Sequence, residues 1–294
     1  MEVVSTTVYP PEESPFKTIY VDVTHRCQMA CANCYLPNRN IPDMDKSRLY
    51  EMLSRLPHKT DLRLIGGEPT LRNDLPEIIS EIKRLGHRPI LITNGLRLAD
   101  KTYCEELHTA GLRYCQLSMN GFLDDEIYLA IDKMACAAKK EAALRNCIST
   151  GITVSISCIL VRGLNEHLVA EIFNAARSFP KPARINFRNV GAIGRNSANS
   201  IPPLSMHEIV QLVSKATATP PEKILSSKTA DNQIRFLSQP NARYSQQIII
   251  KITDWTIFES PVLIDPKARE RGRITQDFML APHFEHVKAN EFGY

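Results

Sequence analysis

The chain has 294 residues, of which 43% are hydrophobic and 23% are charged, and its formal net charge is +4. This composition is typical of an ordinary globular enzyme, and the small positive charge excludes the strongly basic field of a dedicated nucleic-acid binder. No apolar run approaches the roughly 18 residues of a membrane-spanning helix and the N-terminus lacks a signal peptide, so we expect a cytoplasmic protein with no membrane partner.

Residues 1–16 contain three prolines and predict an irregular lead-in. From Lys17 onward, short apolar runs rich in β-branched residues alternate with stretches of helical periodicity. The apolar runs predict strands at residues 17–23, 61–66, 88–93, 113–119, 152–161 and 183–190. The stretches between and after them predict helices at residues 44–56, 75–86, 101–111, 128–147, 165–179 and 206–215.

Six β–α units in succession predict parallel strands joined by helical crossovers. We therefore expect an α/β fold with a partial (β/α)6 TIM-like barrel over residues 17–216. The alternation stops near residue 217, and residues 217–294 are predicted to form a C-terminal extension that closes the barrel. Within that extension, residues 247–255 and 261–265 are predicted strands, whereas the tail after residue 266 has no clear period.

Eight cysteines in a chain of this length without an export signal are expected to be reduced thiols. Five of them are scattered among apolar or helical patterns and are predicted to be small core residues. These five are Cys104, Cys115, Cys136, Cys147 and Cys158.

The other three cysteines form the pattern Cys27-x3-Cys31-x2-Cys34 just after the first predicted strand. Its longest gap can stretch to about 14 Å at most, so the three sulfurs belong to one compact site. A structural zinc site commonly takes four protein ligands as two separated pairs, and no second pair is present. An iron–sulfur cube held by three thiolates keeps one iron open to a non-protein ligand. A catalytic zinc with three cysteines stays an alternative at this point.

Three further motifs follow successive predicted strands. They are Gly66-Gly67-Glu68-Pro69, Thr93-Asn94-Gly95 and Leu117-Ser118-Met119-Asn120-Gly121. Together with the cysteine triplet, their order and placement resemble the radical S-adenosylmethionine (radical SAM) superfamily over residues 17–216. The resemblance implies one [4Fe-4S] cluster on Cys27, Cys31 and Cys34, with S-adenosylmethionine chelated to the open iron. It also implies reductive cleavage of that cofactor to a 5′-deoxyadenosyl radical, which abstracts hydrogen from a small metabolite or a peptide in a biosynthetic pathway.

The resemblance assigns further residues to the S-adenosylmethionine site. Gly66 and Gly67 let backbone carbonyls approach the methionine ammonium, and Glu68 adds a charged hydrogen-bond acceptor for the same group. Asn94 is expected to line the site. Ser118 is expected to contact the methionine or ribose portion.

Some positions depart from the family pattern. The family often has an arginine about a dozen residues after the serine, where this sequence offers Lys133, which lacks the planar bidentate geometry of arginine. The aromatic residue usual before the last cysteine is replaced by Asn33, so an adenine ring contact is expected from Tyr35 instead. The stretch from Ile159 to Glu166 resembles a degraded adenine motif in which Val161 gives an apolar contact and backbone hydrogen bonds; an ordinary strand-to-helix turn is the alternative.

No cysteine follows Cys158, so we expect a single cluster and an external electron donor such as a flavodoxin or ferredoxin. Arg188 and Arg195 lie near the end of the sixth strand, where they are candidates to hold an anionic substrate. The C-terminal extension is locally rich in aromatic and histidine residues that could cover a substrate. These are Trp255, Phe258, Phe278, His283, Phe284, His286 and Tyr294.

Two alternative functions stay open on the sequence. An RNA-modifying enzyme of the same superfamily needs a basic groove, for which the only candidate is the run Lys267, Arg269, Arg271 and Arg273, so a nucleic-acid partner is not favoured. A non-enzymatic zinc-binding or redox-sensing protein with a repurposed triplet is the other alternative.

Overall fold

The computed structural model describes residues 7–36, 39–179, 184–191, 194–196, 201–239, 247–257, 262–265 and 271–283. Within them, eleven strands form one sheet. The strands are β1 (Thr18–Thr24), β2 (Asp61–Gly66), β3 (Arg88–Thr93), β4 (Tyr114–Ser118), β5 (Thr153–Ile159), β6 (Arg184–Arg188), β7 (Lys228–Ala230), β8 (Gln233–Leu237), β9 (Ile249–Thr253), β10 (Arg271–Ile274) and β11 (Leu280–Pro282). The α-helices are α1 (Lys46–Ser54), α2 (Leu75–Arg84), α3 (Lys101–Thr109), α4 (Asp125–Asp132), α5 (Ala137–Thr150), α6 (Leu168–Ala176), α7 (Met206–Thr217) and α8 (Pro221–Leu225).

Strands β1 to β6 lie side by side in chain order and are parallel throughout. The predicted α/β fold with a partial TIM-like barrel is therefore confirmed. All six strands end at the same rim, because each is followed by a helical crossover back to the start of the next. The four motifs found in the sequence follow β1, β2, β3 and β4, so this rim is where they meet.

Two strands from the C-terminal part of the chain extend the parallel sheet at its ends. β9 pairs in parallel with β6, and β10 pairs in parallel with β1. β8 and β11 then add antiparallel strands outside them. The predicted strand 247–255 is confirmed as β9, whereas the predicted strand 261–265 is wrong: its described residues contribute an isolated bridge from Leu263 to Ala230.

The helix predicted at residues 128–147 is wrong as a single element. α4 ends at Asp132, its C-cap residue Lys133 has a φ of 58° in the left-handed region, and α5 starts at Ala137. Asp125 fixes this break, since its Oδ1 accepts a hydrogen bond of 2.7 Å from the backbone N–H of Ala137. The predicted cap of α7 is present, because Ser205 forms a capping box with Glu208.

The predicted lead-in contains a short 3-10 helix at Pro11–Glu13, and Tyr9 forms a bridge with Leu280 beside β11. Across the described residues, one large apolar core lies between the sheet and its helices and includes Ile19, Leu64 and Ile156. No described helix has both the length and the apolar character that a membrane crossing demands.

A buried ion pair joins β10 to β1. The Arg273 guanidinium donates through Nε to Oδ2 of Asp22 at 2.6 Å, and the two side chains are 2% and 3% exposed. Arg271 and Arg273 lie two residues apart and so share one face of the strand. Between them, a Cβ at Gly272 would overlap the ring of Phe16, so this position requires glycine for close packing.

Replacement of Arg273 by Met is expected to lower the free energy of unfolding by about 3–5 kcal/mol, because it leaves the Asp22 carboxylate buried without its cation. Urea unfolding of the metal-free protein measures this change. The matched control is Arg162→Met, which removes an exposed guanidinium from its pair with Glu208 and should have no measurable effect. Equal stabilities for the two variants would show that the Asp22 pair does not support the fold.

Candidate active site

The cysteine triplet lies on the loop that leaves the C-terminal end of β1. The three thiols are half-buried and face a cavity of about 210 Å³ inside the curved sheet. The end of β1 that leads into the loop is fixed by Arg72, whose Nη1 donates to the carbonyl of Val23 at 2.8 Å. The loop is also held from the side, where the N–H of Ala32 donates to the carbonyl of Ile131 at 2.9 Å.

Each outer sulfur of the triplet has donors close by. The N–H of Met29 donates to Sγ of Cys27 at 3.4 Å, and Arg39 Nη2 donates to Sγ of Cys34 at 3.2 Å. Burial raises the pKa of Cys27, and burial together with the nearby Asp132 carboxylate raises the pKa of Cys31. These two thiols therefore keep their protons at neutral pH until a metal displaces them.

The arrangement of the sulfurs suits a cluster better than a single ion. Among the residues that the structure describes, no three cysteine, histidine or carboxylate side chains converge on one ion position. An iron–sulfur cube binds each thiolate to a different iron, so its ligands need not converge. Three thiols on one short loop beside a cavity are a donor set that could hold such a cube.

Gly66 and Gly67 follow β2 and pack directly against the loop that carries the triplet. A Cβ at Gly66 would overlap the carbonyl oxygen of Thr24, and one at Gly67 would lie less than 3.0 Å from backbone atoms of His25 and Arg26. Gly66 also has a φ of 131°, which favours glycine. Both glycines line the cavity. Close packing under the triplet therefore requires glycine at both positions, and this requirement was not predicted from the sequence.

The structure places Glu68 behind the cavity wall, because its side chain is fully buried and not among the lining residues. Its two carboxylate oxygens accept four hydrogen bonds: from the N–H and hydroxyl of Thr70, from the hydroxyl of Thr93 at 2.5 Å and from the N–H of Asn94 at 2.7 Å. Glu68 thus ties the end of β2 to the end of β3 and positions Asn94, which lines the cavity.

Ser118 lines the cavity as expected, but Lys133 and Val161 do not. Lys133 is exposed and donates to the carbonyl of Ala130 at 2.9 Å. The N–H of Val161 donates to Oδ1 of Asn165 at 2.7 Å, and its carbonyl accepts from the N–H of Leu164. Both backbone groups that the adenine contact needs are therefore already used by the turn after β5.

Tyr35 lies in the cavity wall with its hydroxyl pointing below the triplet. That hydroxyl is 3.2 Å from Oδ1 of Asp22 and 3.0 Å from the carbonyl oxygen of Gly66. Burial and then the Asp22 carboxylate raise the pKa of Tyr35, so the phenol stays protonated and donates. The ring is thereby held in a fixed place beside the triplet.

Two charged residues that sequence reasoning missed lie in the cavity wall, Asp132 and Lys140. Lys140 is 1% exposed, and its ammonium donates to the carbonyl of Ser118 at 2.7 Å. Asp132 is also buried; its Oδ1 accepts from Asn120 Nδ2 at 2.9 Å, and its carboxylate also lies beside the Cys31 thiol, whose pKa it raises. Asp132 is the last residue of α4 and Lys140 lies in the first turn of α5, so the two residues flank the break between the helices. The single helix predicted over residues 128–147 gave no sign of this arrangement.

The far side of the cavity is formed by later strands. Arg188, Trp255 and His283 line it, with the His283 ring stacked on Tyr20 at a centroid distance of 4.0 Å. Phe278 instead packs into the core. The other aromatic and histidine candidates lie outside the described residues: Phe258, Phe284, His286 and Tyr294.

The basic residues that the sequence suggested as candidates lie in different places in the structure. Arg195 is not in the cavity wall; it donates from its backbone to the carbonyl of Cys34 and from Nη1 to the carbonyl of Ala30, each at 2.8 Å. Arg271 and Arg273 face the interior, so these two members of the basic run form no outer groove. The other two members, Lys267 and Arg269, lie outside the described residues.

Comparison with models of protein families shows to which family the chain belongs. The model of the Radical SAM superfamily matches residues 21–176, which is more than half of the chain. The chain belongs to the radical SAM superfamily. It is therefore an enzyme of a class that uses S-adenosylmethionine and an iron–sulfur cluster, and the non-enzymatic alternative is wrong.

This radical SAM chain is similar in sequence to several named enzymes. It is 29% identical over 209 residues to 7,8-dihydro-6-hydroxymethylpterin dimethyltransferase of Methanocaldococcus jannaschii, covering 67% of this chain and 41% of that protein. It is 30% identical over 177 residues to a probable GTP 3′,8-cyclase of Methanothermobacter marburgensis, covering 58% of this chain and 57% of that protein. The chain thus spans about half the length of these two relatives.

A solved structure supports the fold of the radical SAM chain. The crystal structure of Streptococcus suis SuiB matches 95% of this chain and 63% of its own, with a TM-score of 0.62. Sequence identity in this match is 14%, so the likeness concerns the fold alone.

Replacement of Glu68 by Gln is expected to lower the free energy of unfolding by about 1–3 kcal/mol, because the new amide NH2 faces donors where the carboxylate had accepted hydrogen bonds. Urea unfolding of the metal-free protein measures it. Glu77→Gln is the matched control, since Glu77 is exposed in its pair with Lys46 and its loss should change little. A fully stable Glu68→Gln protein would mean that the carboxylate does not hold the two strand ends together.

Proposed function

We propose that this radical SAM enzyme holds one [4Fe-4S] cluster through Cys27, Cys31 and Cys34 and abstracts hydrogen from a small metabolite or peptide. The observation that supports the proposal is one continuous cavity. Its near wall carries the three thiols and the motif residues that follow β2, β3 and β4, and its far wall carries side chains of β6, β9 and β10. A cofactor at the near wall would therefore face a substrate at the far wall.

When bound and reduced, the cluster supplies the electron that cleaves S-adenosylmethionine to methionine and the 5′-deoxyadenosyl radical that takes the substrate hydrogen. The protein residues have the task of placing both molecules and excluding water. Gly66, Gly67 and Asn94 border the position next to the triplet, and Glu68 holds Asn94 there. Tyr35 and Ser118 are candidates to contact the nucleoside part.

Asp132 and Lys140 are suited to the two charged ends of the amino-acid portion of S-adenosylmethionine. The buried Asp132 carboxylate can accept more hydrogen bonds than the one from Asn120, and an α-ammonium is a suitable donor. The Lys140 ammonium uses one of its three donors on Ser118, so it can also donate to a carboxylate. We assign Lys140, rather than Lys133, to the position that an arginine often holds in the family.

The substrate and the electron donor are also part of the proposal. Two relatives are named for a pterin and for GTP and another is named for a peptide, so the proposal includes both a small metabolite and a peptide as substrate classes. A single cluster cannot supply its own electron, so we propose a flavodoxin or a ferredoxin as donor. Such donors are usually acidic, which suits the net charge of +4.

Replacement of Cys31 by Ala is expected to abolish both the cluster and deoxyadenosine formation, because a cube held at two corners is lost. Iron and sulfide content after anaerobic reconstitution, and deoxyadenosine after reduction, measure the two effects. Cys136→Ala is a stringent control, since Cys136 packs in the same apolar group as Cys27 and Cys31 but is not in the cavity wall. A Cys31→Ala protein that still holds four irons would refute the ligand assignment.

Replacement of Lys140 by Met is expected to weaken S-adenosylmethionine binding by roughly 10-fold or more, since a buried charge-assisted hydrogen bond is lost. The iron content should be unchanged. Equilibrium binding of S-adenosylmethionine to the reconstituted protein measures the effect, and Lys133→Met serves as the comparison with an exposed lysine. If instead the Lys133 variant alone lost affinity, the assignment made from the sequence would be right and ours wrong.

A further inference from the structure

Four cationic side chains from four strands meet at the far wall of the cavity. Arg63 of β2, Arg188 of β6, Lys251 of β9 and Arg271 of β10 are all half-buried and line it. We call these four residues the cationic layer. Arg63, Lys251 and Arg271 also line a second cavity of about 170 Å³ toward the N-terminal ends of the strands, so the layer lies across the middle of the sheet interior.

The cationic layer has no carboxylate partner among the residues that the structure describes. None of the ion pairs found there includes any of its four members. Asp22 already pairs with Arg273. The ring and hydrogen-bond contacts of the layer are with uncharged side chains: Arg63 lies 5.5 Å from the Tyr20 ring, Arg188 lies 5.5 Å from the Trp255 ring, and Arg271 donates to Oε1 of Gln233.

The like charges of the layer disfavour one another. Burial, followed by the charges of Arg271, Arg63, Arg188 and Arg235, lowers the pKa of Lys251 well below its usual value. Burial would raise the pKa of Tyr20, but Arg63, Arg271 and Arg188 outweigh it and the pKa is lowered. Unpaired charges gathered in an interior destabilise a fold, and a bound anion would relieve that cost.

We propose that the cationic layer binds a multiply charged anionic group of the substrate, either phosphate or clustered carboxylates. This inference rests on the proposed function, because it places the substrate across the cavity from the triplet. The planar guanidinium groups of the three arginines suit bidentate contact with phosphate or carboxylate oxygens. An anion held there would leave the rest of the substrate in the space facing the cofactor site.

Three of the four residues of the cationic layer lie outside the part of the chain shared with the superfamily, and only Arg63 lies within it. Arg188, Lys251 and Arg271 lie beyond residues 21–176, which the family model matches. The layer also faces the interior and not the outer surface, so a large polyanion such as a nucleic-acid duplex has no access to it. We therefore assign it to the selection of a small anionic substrate.

The test is a calorimetric titration of the reconstituted full chain, without S-adenosylmethionine, with inorganic tripolyphosphate and separately with tricarballylate. The cluster absorbance is followed to exclude loss of iron. Saturable binding of either probe that exceeds the effect of sodium chloride at equal ionic strength is expected. Preference for tripolyphosphate indicates a phosphorylated substrate, and preference for tricarballylate indicates a polycarboxylate. Absence of binding by both probes would overturn the proposal.

Variants show whether the layer is the site. Lys251→Met and Arg271→Met should each weaken anion binding roughly 10-fold or more. Lys215→Met, which removes an exposed lysine from α7, is the matched control and should not change it. Lys251→Gln provides a second, more conservative variant if the Met protein fails to fold. Equal affinity in folded layer variants and the control would refute the assignment.

A proton readout distinguishes a binding role for Lys251 from a structural one. The groups facing Lys251 from β2, β6, β8 and β10 are all arginines, and a bound anion would raise the lowered pKa of the lysine. Anion binding should therefore take up a proton and weaken as the pH rises toward the ordinary titration range of a lysine. Titrations in buffers of different ionisation enthalpy measure the uptake, which the Lys251→Met protein should lack. Uptake that persists in this variant would exclude Lys251 as the group.

Measurement of deoxyadenosine formation in the absence of substrate tests the proposed function independently of anion binding. A protein that forms deoxyadenosine but binds neither anion would refute the layer and leave the proposed function intact. A protein that binds anions but forms no deoxyadenosine would refute the proposed function, and with it the claim that the anion belongs to a radical substrate.

Discussion

The buried ion pair between Asp22 and Arg273 connects the parts of the molecule on which the site depends. It joins β10, near the end of the described chain, to β1, which leads into the cysteine triplet. The same carboxylate lies within hydrogen-bonding distance of Tyr35, whose hydroxyl also contacts the carbonyl of Gly66. The C-terminal strand, the triplet loop and the turn after β2 therefore share one buried polar group. A displacement of β10 would therefore disturb Asp22 and, through it, the hydrogen bond of Tyr35 beside the triplet.

The two walls of the cavity come from different parts of the chain. Residues 21–176 carry the thiols, the glycines and the residues that follow β3 and β4, all within the segment common to the superfamily. The far wall comes largely from β6, β9 and β10, which lie after that segment. Such a division lets one cofactor site work with many substrates, because the later strands can change without disturbing the cysteine loop. Most cations of the far wall therefore belong to the part of the chain that the superfamily model does not match.

The sequence predicted the strands β1 to β6 and the meeting of the motifs because both depend on local signals. β-branched runs fix the strands, and parallel strands with crossovers bring their C-terminal ends to one rim. β10 and β11 were missed because they are only four and three residues long, and β10 turns Arg271 and Arg273 inward where an apolar face is expected. Lys140 was missed for a different reason. Its inward direction depends on the left-handed break at Lys133, which no periodicity shows.

Burial shifts the pKa values of the two walls in opposite directions, and in both cases the neutral form of the side chain is favoured. At the near wall it raises the pKa of Cys27 and Cys31, and at the far wall it lowers the pKa of Lys251. In both places the neutral form of the side chain is favoured, which limits the electrostatic cost of the interior. With the ligands proposed above, each wall would gain charge only on binding, since iron would displace thiol protons and an anion would stabilise the ammonium. If both proposed sites are right, loading the near wall would release protons and loading the far wall would take them up, so acid would favour substrate binding and oppose cluster assembly.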